Sequence, residues 1–256
     1  MGLFIRLSTW NSKTNDRVRK GIPWEVTATT ALLAVKHFNQ RIGTVVPDFG
    51  TKLNDCNVQL IPHVFDTQSH PKPAVQSFLR SRYNSDWLKY KPEVIVGTAR
   101  SATTTPLAVL AGIEGVPHIS YLATSTELDK SNDYPTFLRT IPSDSLTAIT
   151  IVKLLAGPPY NIKRLSAIYV SDPYGQSYME ALQDACISRG ILFDSFSFTF
   201  HNVATIESAA KKMIIADVRY VVAIAFDDDL ESLMKIASKY KIAGDGKTTE
   251  SKHQWI

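Results

Sequence analysis

Strand-like and helix-like segments alternate along almost the whole chain, and this alternation limits the possible folds more than any other feature of the sequence. Between Trp24 and Ile42, apolar residues recur every three or four positions, which is the spacing of one helical face. Short apolar runs at 94–96 and 165–170 have the length of buried strands. Alternating strands and helices predict a parallel sheet with helices on both faces. The sequence therefore predicts an α/β fold.

The predicted elements form two series that meet near Ile141. After this residue, Pro142 and the N-capping residue Ser143 open a new helix, and the strand–helix pattern restarts. We therefore expect a first lobe at 1–141 and a second lobe at 142–256, each a parallel sheet flanked by helices. The last residues, 253–256, have the composition of the beginning of another strand, so the second lobe is expected to be incomplete. The predicted strands are 2–8, 57–65, 94–96, 117–121, 137–141, 165–170, 191–198 and 220–225, and the predicted helices include 24–42, 71–89, 101–111, 174–189, 206–214 and 228–240.

Charge and hydropathy exclude several classes of partner. The formal net charge of +4 is spread along the chain, and no run of five or six basic residues marks a nucleic-acid or membrane-surface site. No apolar run has the roughly 18–20 residues of a membrane-spanning helix.

Cys56 and Cys186 lie in different halves of the chain. This placement favours two small apolar residues over a disulfide framework, and the sequence leaves open whether either cysteine is disulfide-bonded.

Signatures of catalytic and metal sites are missing from the sequence. It contains no Gly-x-Ser-x-Gly elbow and no His-Glu-x-x-His pair, and its six histidines are scattered singly. The run 227–229 of three aspartates has two readings, a metal cluster or the acidic first turn of a helix, and the second is favoured because acidic side chains stabilise helix N-termini. We therefore expect a protein that is not an enzyme and that uses no cofactor or metal.

Hydroxyl side chains follow two neighbouring strands of the first lobe. In open parallel sheets, ligands bind outside the carboxyl ends of the strands. Hydroxyls at this position, together with the free amides of a helix that starts near Ser101, suit an anionic group such as a carboxylate. The alternative is that serine and threonine simply cap helices. The residues concerned are Thr98, Ser101 and Thr103 after one strand and Thr124, Ser125 and Thr126 after the next.

Two stretches of the chain have a distinctive sequence, 115–125, GVPHISYLATS, and 134–144, YPTFLRTIPSD. They resemble the receptor family with a type 1 periplasmic-binding-protein fold. Trp10 and the terminal 254–256 are most similar to the metabotropic GABA receptor branch of the class C receptors, which also include the metabotropic glutamate receptors. The resemblance implies a two-lobed periplasmic binding protein-like type I fold that is truncated at its C-terminus. Supporting similarities occur at 2–4, 37–41, 66–69 and 171–175.

The resemblance also implies a ligand site. Ser101 and Thr124 would hold a ligand carboxylate and its neighbouring polar groups. Ala123, which directly precedes Thr124, is included among the predicted ligand-binding residues. Asp144 matches a position that helps to hold a ligand amino group. Trp10 would lie along the ligand, and Tyr174 of the second lobe would close over it.

Four positions depart from the family pattern. Arg100 adds a charge next to the first hydroxyl group, and Leu122 replaces a small polar residue, which leaves the ligand class open. At the end of the second lobe, either Phe226 or Asp227 faces the ligand.

By resemblance, the chain is the extracellular ligand-binding part of a membrane receptor at the cell membrane, sensing an amino acid or related small acid by cleft closure. The alternative is a secreted or periplasmic solute-binding protein of an amino-acid transporter, and an enzyme of the doubly wound class is a third. The resemblance implies a homo- or heterodimer through helices 71–89 and 102–111 of lobe one. It also implies a signal peptide and membrane-spanning segments outside these 256 residues, and further chain after Ile256 that tightens ligand binding.

Overall fold

The computed structural model describes residues 1–5, 7–11, 16–19, 23–217, 219–242 and 254–256. The chain divides into two compact units, the first formed by residues 1–123 and 130–141 and the second by 124–129 and 142–256. The short segment 124–129 thus belongs to the second unit, although it precedes the last strand of the first. By this division the chain passes from one unit to the other after Ala123, after Asp129 and after Ile141. The sequence predicts a single passage near Ile141.

In the first unit, five of the described strands form one sheet in the order β4-β1-β5-β6-β7, and every pair is parallel. The central strand β1 is buried at all four positions, as expected for a strand covered on both faces. The strands of this unit are β1 (Gly2–Ile5), β2 (Ser8–Asn11), β3 (Asp16–Arg19), β4 (His63–Asp66), β5 (Ile95–Gly97), β6 (His118–Ser120) and β7 (Phe137–Arg139). Its helices are α1 (Pro23–Asn39), α2 (Pro47–Thr51), α3 (Pro71–Tyr83) and α4 (Ser101–Ile113).

Helices α3 and α4 cover the sheet of the first unit and supply much of its core. Phe78 of α3 and Leu107 of α4 are fully buried, and they pack with Phe4 and Ile95 of the sheet. Phe4 also stacks on Phe65 with ring centroids 4.7 Å apart. Apolar side chains of this size each contribute about 1.5–3 kcal/mol when they are removed from water.

The second unit contains a four-stranded parallel sheet in the order β11-β10-β8-β9. Its strands are β8 (Arg164–Val170), β9 (Leu192–Phe198), β10 (Tyr220–Ile224) and β11 (Gln254–Trp255), and its helices are α5 (Asp144–Ala156), α6 (Pro173–Ile187), α7 (Val203–Ile215) and α8 (Asp227–Lys239). Two apolar cores lie in this unit, one with Leu182 of α6 and the other with Met213 of α7 and Leu233 of α8. The expected α/β class, with parallel sheets flanked by helices, is confirmed.

Three local predictions differ from the structure. The predicted strand 57–65 is ordered as a strand only at His63–Asp66, and Pro62 directly before it lacks the N–H that a ladder needs. The predicted helix 71–89 ends at Tyr83, and a 3₁₀ helix follows at Ser85–Tyr90. The antiparallel pair of β2 and β3 was not expected, because each strand has only four residues.

Neither cysteine is in a disulfide. Cys56 is half-buried in the first unit, whereas Cys186 lies in the core of the second, where burial raises the pKa of its thiol to about 11. Cys186 thus behaves as the small apolar residue that was predicted.

In the part of the chain that the structure describes, no helix combines the length and the apolar character that crossing a membrane requires.

Candidate functional site

The carboxyl ends of β5 and β6 meet at one edge of the first sheet, as the parallel pairing requires. Ser120, at the end of β6, joins the two loops that follow. Its hydroxyl donates to the carbonyl oxygen of Thr98 at 2.7 Å and accepts the backbone N–H of Ala123 at 3.0 Å. Ala123 is fully buried. The predicted site residue Ala123 is therefore held against the loop that leads to α4.

Ser101 is the first residue of α4, and its side chain is buried. The preceding residue, Arg100, occupies the N-cap position without a side-chain capping hydrogen bond. Thr98 and Thr104 share a hydrogen bond between their hydroxyls at 2.6 Å, and Thr104 also donates to the carbonyl oxygen of Arg100. Two of the hydroxyls at this edge thus hold the loop in shape. The role of Ser101 as a ligand group on the helix end stays a prediction.

Two aromatic side chains lie near this edge, His118 of β6, which is fully buried, and Tyr121 directly after β6, which is half-buried. Burial lowers the pKa of His118 to about 4, so its imidazole is neutral at physiological pH and bonds through Nε2 to the carbonyl oxygen of Gly97. Burial also raises the pKa of Tyr121 to about 12. Neither side chain therefore brings a charge to the edge, and Arg100 is the charged residue of the loop between β5 and α4.

Trp10 lies on β2, where it faces Arg17 of β3 in the antiparallel register. The structure places it in the first unit, after the first strand of the sheet. Its predicted position along a ligand stays a prediction.

Three of the predicted ligand residues come together in the second unit. The backbone N–H of Asp144, at the start of α5, donates to the carbonyl oxygen of Thr124 at 3.0 Å. Tyr174 is at the start of α6, where burial and, as the second cause, the negative charge of Asp144 raise the pKa of its hydroxyl. Asp172 caps α6 by accepting the backbone N–H groups of Tyr174 and Gly175, each at 3.0 Å. Asp172 thereby positions Tyr174.

The sequence did not indicate that Ser177 and Tyr178 belong to this group. The hydroxyls of Ser125 and Ser177 lie 2.9 Å apart, and Ser125 also donates to the carbonyl oxygen of Pro173. Burial, with Asp144 as the second cause, raises the pKa of Tyr178 to about 12. The Ser125 hydroxyl, predicted as a ligand group, is instead used to tie segment 124–129 to α6. The sequence does contain one sign of this group. Spacings of three and four residues place Tyr174, Ser177 and Tyr178 on one face of α6.

The three aspartates at 227–229 form the first turn of α8, as the favoured reading predicts. Asp227 is exposed, whereas the ring of Phe226 lies 5.3 Å from that of Tyr174 and 5.4 Å from that of Phe200. Phe226 is therefore the residue that joins the aromatic side chains of the second unit. Within the described ranges, no group of three or more histidine, cysteine or acidic side chains is placed to hold a metal ion.

Comparison with known proteins supports the resemblance seen in the sequence. Over 111 residues, or 41% of the chain, it is 39% identical to the human taste receptor type 1 member 1, and this stretch is 13% of that receptor. Over 152 residues, or 59% of the chain, it is 26% identical to the mouse and human extracellular calcium-sensing receptors, where it matches 14% of each. The chain therefore matches a small part of the length of these relatives.

The narrower likeness to the metabotropic GABA receptor branch is not tested by these matches and stays a prediction. The family itself is tested directly, because the model of the family described as receptor family ligand binding region matches residues 30–248. This range covers most of both units. The chain belongs to the receptor family ligand-binding region.

Proposed function

We propose that the chain is the extracellular ligand-binding region of a class C G-protein-coupled receptor and that it binds an amino acid or a related small acid without catalysis. The family membership supports the receptor part of the proposal. The placement of Asp144 beside Thr124 and Tyr174 is the observation that carries the ligand class. The proposal includes signalling by closure of two lobes, which the family membership supports.

The charges of the two units suit the two ends of an amino acid. In the first unit, Ser101 at the helix start and the neighbouring Arg100 suit a carboxylate. In the second unit, Asp144 is 6% exposed and carries a negative charge that suits an ammonium group. A charge-assisted hydrogen bond contributes about 1.5–3 kcal/mol, roughly twice a neutral one. Tyr174, beside Asp144, would cover the ligand.

A calorimetric titration of the 256-residue chain with the twenty common amino acids tests the proposal. We expect binding of at least one of them, and we expect Ser101→Ala to weaken it by about 1–3 kcal/mol through the lost hydrogen bond. Thr105→Ala is the matched control, since Thr105 lies one turn further along α4 and its hydroxyl donates to the backbone carbonyl oxygen of Ser101 at 2.9 Å. Affinity should be unchanged in this control. Absence of binding to every amino acid would contradict the proposed function, and equal weakening by both variants would remove Ser101 from the site.

We further propose that the receptor dimerises through α3 and α4. Both helices expose large apolar side chains: Leu79 is 37%, Tyr83 65%, Val109 40% and Ile113 74% exposed. The ends of the two helices are joined by Arg82, which donates to Glu114 at 2.6 Å. Apolar side chains exposed on two adjacent helices are typical of an interface.

We expect Ile113→Asp to weaken dimerisation at least about tenfold, because burying an unpaired carboxylate costs more than the 1.4 kcal/mol that a factor of ten represents. Sedimentation equilibrium of the chain at tens of micromolar measures this. Ile187→Asp is the matched control, since Ile187 is 66% exposed on α6 of the second unit. A wild-type chain that is monomeric throughout this range, or equal effects of the two variants, would contradict dimerisation through α3 and α4.

A further inference from the structure

Aromatic side chains from three strand–helix connections meet at one edge of the second sheet. Tyr174 follows β8, Phe200 follows β9 and Phe226 follows β10. These three strands are parallel neighbours, so their carboxyl ends lie at the same edge. The Phe226 ring is 5.3 Å from Tyr174 at a 43° tilt and 5.4 Å from Phe200 at 82°. We call these three residues the aromatic edge.

The rings of the aromatic edge are only partly buried, so a ligand can still contact them. The three rings pack against the core that contains Phe198, which is 1% exposed, but they are not enclosed by it. Phe226 connects the other two rings, since its ring contacts both of them. The aromatic edge therefore offers a ligand a polarisable, electron-rich surface.

The aspartates around the aromatic edge are not matched by any lysine or arginine on the same connections, and His201, which lies 4.0 Å from Asp228 and 3.4 Å from Asp229, is positive only in its protonated form. Segments 171–174, 199–203 and 225–229 contain four aspartates and neither lysine nor arginine, although the whole chain has a net charge of +4. The negative charge here is therefore not a consequence of overall composition. The side chains of Asp227 and Asp228 are exposed next to Phe226 in the sequence. An anionic ligand group would be repelled at this edge, whereas a cation would be attracted.

Asp229 holds the edge in shape and adds a buried negative charge to it. It is 2% exposed, and its Oδ1 accepts the backbone N–H of His201 at 3.0 Å. His201 has a left-handed backbone with φ of 56°, and its ring lies 3.8 Å from that of Phe200. The other carboxylate oxygen, Oδ2, accepts no hydrogen bond from the described residues. Nδ1 of His201 also lies 3.4 Å from Oδ1, and Asp229 is in the first turn of α8, so Oδ2 is the part of this buried carboxylate that lacks a hydrogen bond among the described residues.

We propose that the aromatic edge is the subsite for the ligand side chain and that it selects a cationic group, so that the ligand is an amino acid with a basic side chain. This inference rests on the proposed function, because it assigns the side-chain end of the amino acid that Asp144 and Ser101 would hold. Cations bind the faces of aromatic rings through the ring quadrupole, and the surrounding aspartates strengthen the attraction. Asp229 is a positioning residue, because it holds the backbone of His201, whose ring lies against Phe200.

The test is calorimetry of the 256-residue chain with L-arginine, L-lysine, L-leucine and L-glutamate as probes. We expect arginine and lysine to bind at least about tenfold more tightly than leucine or glutamate. Phe226→Leu retains most of the apolar volume but removes the ring quadrupole. It should weaken arginine binding by about threefold to thirtyfold, the range of a partly desolvated cation–π contact, and change leucine binding by less than about twofold.

A charge-neutralising pair provides a second test that does not disturb the core. Asp228→Asn removes an exposed negative charge beside the aromatic edge, and Asp184→Asn removes an exposed one in the last turn of α6. We expect the first to weaken arginine binding by about threefold or more at low salt and the second to leave it unchanged.

The outcomes separate the two proposals. If none of the four amino acids binds, and no other amino acid does, the proposed function itself is wrong. If amino acids bind but glutamate or leucine binds as tightly as arginine, the function stands and the basic ligand class is wrong. Equal losses for arginine and leucine in Phe226→Leu, with the same thermal unfolding temperature as the wild type, would show that the aromatic edge only packs the unit. Preferential loss of arginine binding would support the subsite.

Discussion

Gly97→Ala is expected to lower the free energy of unfolding by about 3–5 kcal/mol. Two independent costs add at this position. The backbone of Gly97 has φ of 118°, a conformation that residues with a side chain rarely adopt. A Cβ atom on Gly97 would also lie 2.0 Å from the carbonyl oxygen of Phe4 in β1. Because the clash is with the backbone of the central strand, it cannot be relieved by a side-chain rotation.

Urea unfolding monitored by circular dichroism measures this effect, and Gly115→Ala is the matched control. Gly115 also has a positive φ, of 65°, but a Cβ atom there would meet nothing within 4 Å. This variant should cost about 1–2 kcal/mol, which is the left-handed backbone cost alone. The difference between the variants isolates the close approach of β5 to β1. Equal costs would mean that the two strands have room for a methyl group at Gly97.

Phe198→Ala is expected to lower the free energy of unfolding of the second unit by about 3–5 kcal/mol, the range for removing a buried phenylalanine side chain. Phe198 is 1% exposed at the end of β9 and packs in the core with Ile206 and Met213. Its carbonyl oxygen accepts the backbone N–H of Ser171 at 2.7 Å, so it also joins the loops that carry Tyr174 and Phe200. A cavity at this position would therefore loosen the aromatic edge as well as the core.

Leu192→Ala is the control for this prediction, because Leu192 begins the same strand and is 69% exposed. A change within about 0.5 kcal/mol is expected there. Urea unfolding compares the two variants, and native-state hydrogen exchange locates the change. For Phe198→Ala, faster exchange is expected in β8, β9 and α7, with α3 and α4 of the first unit unaffected. Uniformly faster exchange in both units would show that they unfold as one, and a small effect of Phe198→Ala would show that the core refills the cavity.

The strands and helices that the sequence predicted well are those with a strong short-range pattern of apolar residues. Strands 94–96 and 165–170 were located closely because continuous apolar runs are typical of strands that are buried on both faces. The hairpin of β2 and β3 was missed because eight residues of mixed polarity carry too short a periodic signal. Segment 57–65 was overextended because its apolar residues Val58 and Ile61 are exposed in the structure, and an apolar residue by itself does not indicate burial.

The candidate site was predicted less completely than the fold. The rule that ligands bind at the carboxyl ends of parallel strands singled out Ser101 and Thr124 as candidate ligand residues, whereas Tyr174 was implied by the family resemblance. It did not distinguish hydroxyls that hold the protein together from hydroxyls that are available to a ligand. Ser125 illustrates this, because its partner Ser177 lies 52 residues further along the chain. No local pattern in the sequence contains that pairing.

By itself, the sequence determined the α/β class, the parallel sheets and the family, because helix and strand periodicity and the family motifs are contained in short stretches of chain. Only the tertiary structure decided that segment 124–129 belongs to the second unit, that Phe226 contacts Tyr174, and that Asp229 bonds the loop at His201, 28 residues away. These contacts depend on which strands become neighbours in a sheet. Strand order brings together residues that are distant in the chain, so side-chain partners at the strand ends follow from the assembled sheet rather than from local composition.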